Sequence, residues 1–512
     1  MLPTETYDVV VIGGGVVGCS IAREFSRYRL RVALLERGDD VAPGTSKTST
    51  GQAISEPKRL DSAAGSAVPT GSTITTEEVG MRLTAGGAAA FESTCQDLGV
   101  PFQREGSLMV VFDQYGLNIL QGIYEEKNGM PGVDLLGKDE LLKLEPYLNP
   151  EVLAGIHDPY SAIFSPWELT IAYAENAIMN GAEVFTSTEA IGIECDDRRH
   201  IKAVQTNRGR FLTRYVVVAA GVYADRIARM VGIDDFDMRP RKGQYIVMDQ
   251  NLPYTVNKAL SIPPIPYAPI QNTRGSYYTG FLVCPTVYGN MLLGPTAEDQ
   301  MDKEDLGTSK DMLDLVWNSC KKLVPALNKK DIIRQFAGLR PVRYPDKISI
   351  SASKEVKGFC GVVGLRSEGL SVSPVLGDYV REILAADGLV FEPKPEWNPV
   401  RPHQPKFKDL DVADKRRLIA QDPNYAEVIC RCETVTKAEI LQAIHGILPA
   451  RSVDAVKKRM RPGMGRCQGG YCGPRIAKIL SEELGVPLSQ VTKRGGGSNL
   501  LIRPLKDSEC GR

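Results

Sequence analysis

The 512-residue chain lacks net charge: 62 lysines and arginines are matched by 62 aspartates and glutamates. Nothing at the level of the whole chain therefore calls for nucleic acid or an anionic membrane as partner. Long apolar runs are missing too. The longest, Tyr215 to Ala224, holds ten residues including a glycine, well short of the ~18 that a spanning helix needs. No transmembrane segment is expected. Met1 to Gly15 has no basic stretch ahead of its apolar residues and no small-residue cleavage site, so no secretory leader is expected either. Internal repeats are absent at periods of about 20–50 residues. Eleven cysteines are an odd number, scattered until the last quarter. That argues against a disulfide framework and for a reducing, cytoplasmic compartment. With 43% apolar residues the chain can bury sizeable cores, which excludes intrinsic disorder.

What is present falls into three textures. Residues 1–390 alternate strand-like apolar runs with amphipathic segments, the pattern of an α/β protein. From Phe391 the pattern breaks, and Pro393, Pro395, Pro399, Pro402 and Pro405 fall within thirteen residues. Proline at that density cannot enter a sheet or helix interior, so 391–421 reads as an extended linker or a strap across a surface. Residues 422–512 turn basic and cysteine-clustered, as a separate small module.

Near the start, Tyr7-Asp-Val-Val-Val-Ile12 reads as a buried strand and runs at once into Gly13-Gly-Gly15-Val-Val-Gly18. Val17, Ile21 and Phe25 follow on one face of a helix. A second strand, Arg31 to Leu35, ends at Glu36, 23 positions after Gly13. This strand–glycine–helix–acid context is what a dinucleotide fingerprint requires. Gly13 makes the tight turn, Gly15 admits a pyrophosphate, and Gly18 lets helix and strand pack closely. The helix N-terminus offers free N–H groups and positive dipole to the phosphates. Glu36 can accept from both ribose hydroxyls and would repel a 2′-phosphate. A second fingerprint is missing: Gly361-Val-Val-Gly364 and Gly495-Gly-Gly497 lack the spacing or the following helix. Strands near Glu183–Glu194 and His200–Thr206, then Arg210 to Gly221, read as a meander that re-enters the nucleotide sheet. FAD, fed by substrate rather than by NADH, is the cofactor this pattern favours.

Several further pieces carry a resemblance. They are Gly44-Thr-Ser-Lys47, Ser165-Pro-Trp-Glu-Leu-Thr-Ile171, Arg241-Lys-Gly-Gln-Tyr245, and Cys284-Pro-Thr286 with Gly294-Pro-Thr-Ala-Glu-Asp299. Phe336-Ala-Gly-Leu-Arg340 and Gly364-Leu-Arg-Ser-Glu-Gly-Leu370 complete the set. The chain resembles the glycine oxidase/D-amino-acid oxidase superfamily. Within it, the chain is most similar to the glycerol-3-phosphate and L-2-hydroxyglutarate dehydrogenases, above all the anaerobic bacterial type with a C-terminal iron–sulfur module. The resemblance implies a Rossmann-like FAD-binding domain, built from about 1–80, 150–235 and 335–390. A mixed or antiparallel substrate domain, about 81–149 and 236–334, would be inserted in it. Thr45 and Ser46 would donate to the pyrophosphate or flavin, with Gly221, Gly364, Gly369 and Leu370 as further flavin contacts. A helix starting near Pro374 would aim its dipole at the flavin N1/C2=O edge. Arg340 would hold the anionic end of substrate in its planar fork, helped by Lys47 and by Arg274, Arg343 or Arg366.

One departure stands out. The relatives carry a histidine a few residues past the Ser-Lys turn, whereas this chain reads Thr48-Ser-Thr-Gly-Gln-Ala-Ile-Ser-Glu56. Oxidising an alcohol by hydride transfer needs a base for the hydroxyl proton. An amine bound in its neutral form does not. Among the four histidines, only His157 is a candidate near substrate; Glu56, Tyr245 or Tyr278 could stand in as base, and Cys284 could line the site.

In the last quarter, Cys430-Arg-Cys432 and Cys467-Gln-Gly-Gly-Tyr-Cys472 place four of the eleven cysteines within 43 residues. Four thiolates hold zinc or a 2Fe-2S cluster. Zinc knuckles favour C-x₂-C, which neither pair shows. The segment resembles the bacterioferritin-associated-ferredoxin-like 2Fe-2S module, which makes Cys430, Cys432, Cys467 and Cys472 the cluster ligands. Gly463, Gly465, Gly469, Gly470 and Gly473 would free backbone N–H groups for the sulfurs. Arg431, Lys457, Lys458, Arg459, Arg461, Arg466 and Arg475 would offset the cluster's negative charge. The implied enzyme is an FAD-dependent dehydrogenase of a small anionic substrate such as glycerol 3-phosphate. Its electrons would pass through 2Fe-2S to an acceptor protein or quinone. An L-2-hydroxyglutarate or amino-acid/opine dehydrogenase, and a non-catalytic electron-transfer subunit, are the alternatives.

Overall fold

The computed structural model describes residues 5–53, 76–126, 132–263, 265–267, 277–279, 281–345, 348–403 and 406–501. Glu56, Arg274, Cys510 and the Tyr278 side chain lie outside them. Strand β1 (Glu5–Ile12) sits inside an eight-stranded sheet, flanked in parallel by β2 (Val32–Leu35) and by the Gly209–Val218 strand. Its apolar run is continuous because both faces are covered, as parallel strands require. Val9 and Val11 enter one core with helix α1 (Val16–Phe25), whose Ile21 and Phe25 are fully buried. Val10 and Ile12 enter the core on the opposite face. The expected meander is there: Ala190–Cys195, Ile201–Thr206 and Gly209–Val218 pair antiparallel in sequence. Phe359–Val363 then adds in parallel beside the last of them.

A second sheet of nine described strands carries the inserted substrate domain, packed under the Lys310–Leu323 helix. Its spine is the Asp237–Met248 strand, paired along its whole length with Ile332–Tyr344 from Asp237↔Tyr344 to Met248↔Ile332. That pairing corrects the expected boundaries: residues 335–344, with Arg340, belong to the substrate sheet, as does Ala154–Asp158. Conversely, the Thr76–Leu98 helix, expected in the substrate part, puts Leu83, Phe91, Cys95 and Leu98 into the flavin-domain core.

The proline-rich segment is a strap. Phe391 packs on Phe25 and Tyr28, Trp397 lies under Arg23 and Arg27, and Asn180 donates to the Asn398 carbonyl. Beyond it the expected linker is partly helical. Val412–Gln421 contains no proline, and the Asp411 side chain caps it by accepting from Asp414 N. The module itself packs helices Lys437–His445, Val453–Met460 and Gly473–Leu484 around Ile440, Ile444, Val456, Ile476 and Leu480. None of the described helices is long and apolar enough to cross a membrane.

Candidate flavin, substrate and cluster sites

The glycine turn is sterically fixed. Gly13 has φ +118°, and a Cβ on it would fall 2.4 Å from the Ala219 carbonyl oxygen. A Cβ on Gly18 would fall 1.9 Å from the Gly13 oxygen. At Gly15 the nearest neighbour is Ser46 Oγ, 3.4 Å away. Ser46 Oγ accepts from Val16 N at 2.9 Å, which leaves its proton for a phosphate oxygen at the mouth of α1. Glu36 is buried, accepting from Gly14 N at 2.7 Å and Gly38 N at 2.6 Å. Burial pushes its pKa up and those two amides oppose the shift; each oxygen keeps a lone pair for a ribose hydroxyl. Thr45 behaves otherwise than expected. Its hydroxyl donates to the Leu339 carbonyl at 2.5 Å, tying the flavin loop to the substrate sheet instead of to a cofactor.

Beside the first turn of α1 lies the second turn expected to meet the flavin. Gly364 has φ +80°, a Cβ on Gly369 would sit 3.5 Å from Val17, and Leu370 is buried in the flavin-domain core. The next helix starts at Ser373, beside the expected Pro374. Gly221, with φ +54°, faces open space. Turn and fingerprint thus meet at one helix end, where a flavin nucleotide fits.

On the substrate sheet, Arg340 projects where Gly243 clears its path: a Cβ there would lie 2.7 Å from the arginine's Nη2. Both Nη atoms donate to the Thr296 carbonyl at 3.2 Å, and no described carboxylate pairs with the guanidinium. Tyr245 hydrogen-bonds Arg340 and stacks on Phe336 at 4.8 Å. Burial pushes the Tyr245 pKa up, which suits a donor and not a base. Glu368, in the flavin turn, has a buried Oε2 without a hydrogen-bond partner. Its pKa is raised by burial, against the pull of its own turn's amides and of Arg366 and Arg340. In the sequence, the only signal for Glu368 is its place as a carboxylate inside a glycine-flanked turn.

Other candidates go elsewhere. Lys47, expected beside substrate, has as charged neighbours Lys458, Asp454 and Arg494 of the C-terminal module and Asp39, and burial pushes its pKa down to about 8. Arg343 pairs with Asp235. His157 sits among Lys258, Asp134 and Asp158. Cys284 is fully buried in the core.

In the module, the four thiols form two pairs. Cys432 and Cys467, both exposed, are 3.6 Å apart, and the buried Cys472 hydrogen-bonds the buried Cys430. Two pairs are what two irons take, two thiolates each. Backbone amides already serve the sulfurs: Gly463 and Glu433 donate to Cys430, and Gly469 and Tyr471 to Cys467. Gly465 is required for a different reason, since its Cβ would lie 2.4 Å from that of Cys432. Most of the expected counter-charges are already paired with carboxylates: Lys458 and Arg459 bind Asp40 and Arg466 binds Asp249 across the seam, and Arg461 binds Glu433 within the module.

A nucleotide turn shared with a flavin loop, joined to a module of paired thiols, defines a flavoprotein oxidoreductase with an iron–sulfur outlet. Residues 8–383 match the FAD dependent oxidoreductase family, and 428–482 match the BFD-like 2Fe-2S binding domain. The chain belongs to that FAD-dependent oxidoreductase family and binds FAD and a 2Fe-2S cluster. It is similar to a glycerol 3-phosphate dehydrogenase of Caloramator mitchellensis, 38% identical over 502 residues, covering 98% of this chain and 99% of that one. The dithionite-reduced L-alpha-glycerophosphate oxidase of Mycoplasma pneumoniae, solved with FAD bound, matches with a TM-score of 0.66 at 29% identity, over 78% of this chain and 100% of that one. The mitochondrial L-2-hydroxyglutarate dehydrogenase of Homo sapiens is 26% identical over 385 residues, 66% of this chain and 78% of that one.

Proposed function

We propose that this enzyme is a dehydrogenase of a small hydroxylated anion, of the glycerol 3-phosphate kind. The observation that carries the reading is Arg340: an arginine fork without a carboxylate partner among the described residues, on the strand to which the flavin loop is tied. The three relatives are named for glycerol 3-phosphate, glycerophosphate or L-2-hydroxyglutarate, each a hydroxylated anion. Arg340 takes the phosphate or carboxylate, and Tyr245 keeps the guanidinium oriented. Glu368 Oε2 receives the hydroxyl proton, the role that the missing histidine leaves open. FAD supplies the two-electron acceptor, and the cluster on Cys430, Cys432, Cys467 and Cys472 supplies one-electron exit to an acceptor protein or quinone.

The presence of an unpartnered carboxylate, Glu368, within the electrostatic reach of Arg340 also favours a second reading. An amino acid would place its carboxylate on Arg340 and its ammonium group on Glu368. Anaerobic titration with glycerol 3-phosphate, L-2-hydroxyglutarate and amino acids, read at flavin and cluster wavelengths, separates the two. Bleaching by a hydroxylated anion supports the first reading, and bleaching by amino acids alone supports the second. Reduced enzyme should reoxidise slowly in air; rapid stoichiometric peroxide would mark an oxidase.

A further inference from the structure

The exposed half of the thiol set is gripped from outside its own module. Three residues that adjoin Cys432 or Cys467 are each bonded to one end of the substrate sheet, where the paired Asp237–Met248 and Ile332–Tyr344 strands meet. Glu433, next to Cys432, accepts from the Gln250 side-chain amide. Arg466, just before Cys467, pairs with Asp249. Gln468, just after Cys467, accepts from Arg334 at 3.0 Å.

The three ties are not equal. Arg466 and Arg334 are exposed, and exposed pairs contribute little. Glu433 is different. Its side chain is 1% exposed, and its second oxygen accepts at 3.0 Å from Arg461 Nε, in a side chain 4% exposed. The Arg461 guanidinium lies 3.6 Å from the centre of the Tyr288 ring, another substrate-domain group. Tyr288 in turn donates to Glu168 of the Pro166–Met179 helix and accepts from Lys406 of the strap at 3.1 Å. Both oxygens of the Glu433 carboxylate are therefore held, one directly from the substrate domain and one through Arg461. The loop behind it has no slack, since a Cβ on Gly465 would fall 2.4 Å from Cys432 Cβ and 3.4 Å from Glu433 Oε1. The Glu433 amide itself donates to the Cys430 sulfur.

We propose that Gln250 and Glu433 are positioning residues for the 2Fe-2S cluster. Gln250 holds the Glu433 carboxylate from the substrate domain, and Glu433 fixes the loop that carries Cys432 and the amide bonded to Cys430. The cluster's potential is then set partly by a residue outside its module. The proposal rests on the assignment of the four thiols as ligands. Hydrogen bonds to the sulfurs and nearby charge set the potential of such a cluster. Reduction adds negative charge. A carboxylate that has lost its donor opposes that charge more strongly, and a loosened loop weakens the amide–sulfur bond. Both effects make the cluster harder to reduce.

The test is a redox titration of the holoenzyme read by electron paramagnetic resonance, with iron release to a ferrous chelator as second readout. In Gln250→Leu the cluster potential should fall, the g values should shift, and iron should leave about tenfold faster, as loss of one charge-assisted hydrogen bond implies. Gln250→Asn, one methylene too short to reach, should do the same, so the result does not depend on one variant folding. The exchange Gln250→Glu with Glu433→Gln restores the bond, donor and acceptor reversed, at unchanged net charge. It should return the potential and the iron-release rate towards wild type. Wild-type potential and spectrum in both single variants would overturn the proposal. So would an exchange variant no better than the single ones, which is what a mere packing defect would give. Cys432→Ala separates this proposal from the ligand assignment beneath it. A wild-type cluster spectrum in Cys432→Ala would overturn both. An altered one, beside unchanged Gln250 variants, would remove the clamp alone.

Discussion

Arg459 grips Asp40 with both arms of its guanidinium, at 2.8 and 2.9 Å, joining the module to the loop that follows the ribose-binding strand. The Asp40 and Arg459 side chains are 4% and 6% exposed, so this is a buried contact and not a surface ion pair. Removing one partner strands the others. Asp40→Asn should destabilise the docked module by about 3–5 kcal/mol, because Lys458 and Arg459 are left buried without their counter-charge. Earlier unfolding of the module in urea, or faster proteolysis beside the strap, would show it.

The same contact sets an acid limit. Lys458 and Arg459 hold the Asp40 pKa at about 2, against burial that would raise it. A carboxylate depressed in the folded state contributes stability that is complete above its unfolded pKa near 3.8, and that is lost as pH falls through about 2. The contribution is about 2 kcal/mol. Wild-type docking should weaken on acidification below about pH 5, whereas Asp40→Asn should show no such step from this site.

Much of this was legible beforehand, and the part that was not has a physical pattern. The glycine fingerprint, the acid at Glu36 and the spacing of the four cysteines are set by local backbone geometry, so they read directly from the chain. Gly18 can be nothing else when a Cβ would stand 1.9 Å from the Gly13 carbonyl. That the proline-rich segment stays extended follows from proline as well, but whether it is a linker or a strap does not. What failed was tertiary. Lys47 and the basic run Lys457–Arg461 carry no mark of which surface they meet. Only the docked module shows that Lys458 and Arg459 serve Asp40, not a cluster. The boundary near 335 failed for the same reason, since Ile332–Tyr344 finds its partner strand some 90 residues earlier.

Arg340→Lys tests the anion clamp. A lysine keeps the charge but loses the planar fork and the bond with Tyr245. Loss of a charge-assisted pair to substrate costs about 1.5–3 kcal/mol, so KM should rise roughly ten- to a hundredfold. FAD content, set by Gly13, Gly18 and Glu36, should be unchanged. Equal KM in variant and wild type would remove Arg340 from the substrate site.

Glu368→Gln tests the base. The substitution keeps size and hydrogen-bonding capacity and removes the proton acceptor. Anaerobic flavin reduction should slow by about 10²–10⁴-fold, the usual share of a positioned base. In wild type the rate should climb with pH as Glu368 ionises, through a pKa that burial lifts above the ordinary 4.5 and that Arg366 and Arg340 pull back. That limb should vanish in the variant. An amino-acid substrate would behave otherwise: its binding would weaken with no loss of a basic limb in the rate.

On the proposed function, electrons would leave at the exposed thiol pair. Cys432 and Cys467 face outward, whereas Cys430 and Cys472 are buried. Beside them Tyr471 is 37% exposed, with Arg431 and Arg475 stacked on its ring at 4.5 and 4.7 Å. Unlike Lys458, Arg459 and Arg466, which dock the module, and Arg461, which pairs with Glu433, these two arginines have no carboxylate partner among the described residues. A positive edge of this kind speeds encounter with an acidic acceptor protein, and the effect fades with salt. Arg431→Glu with Arg475→Glu should therefore slow reduction of an acidic acceptor at low ionic strength, with the difference shrinking as salt is added. Flavin reduction by substrate, on the far side of the cluster, should keep its wild-type rate. Should a neutral quinone prove to be the acceptor, charge reversal would leave both rates alone and the salt dependence flat.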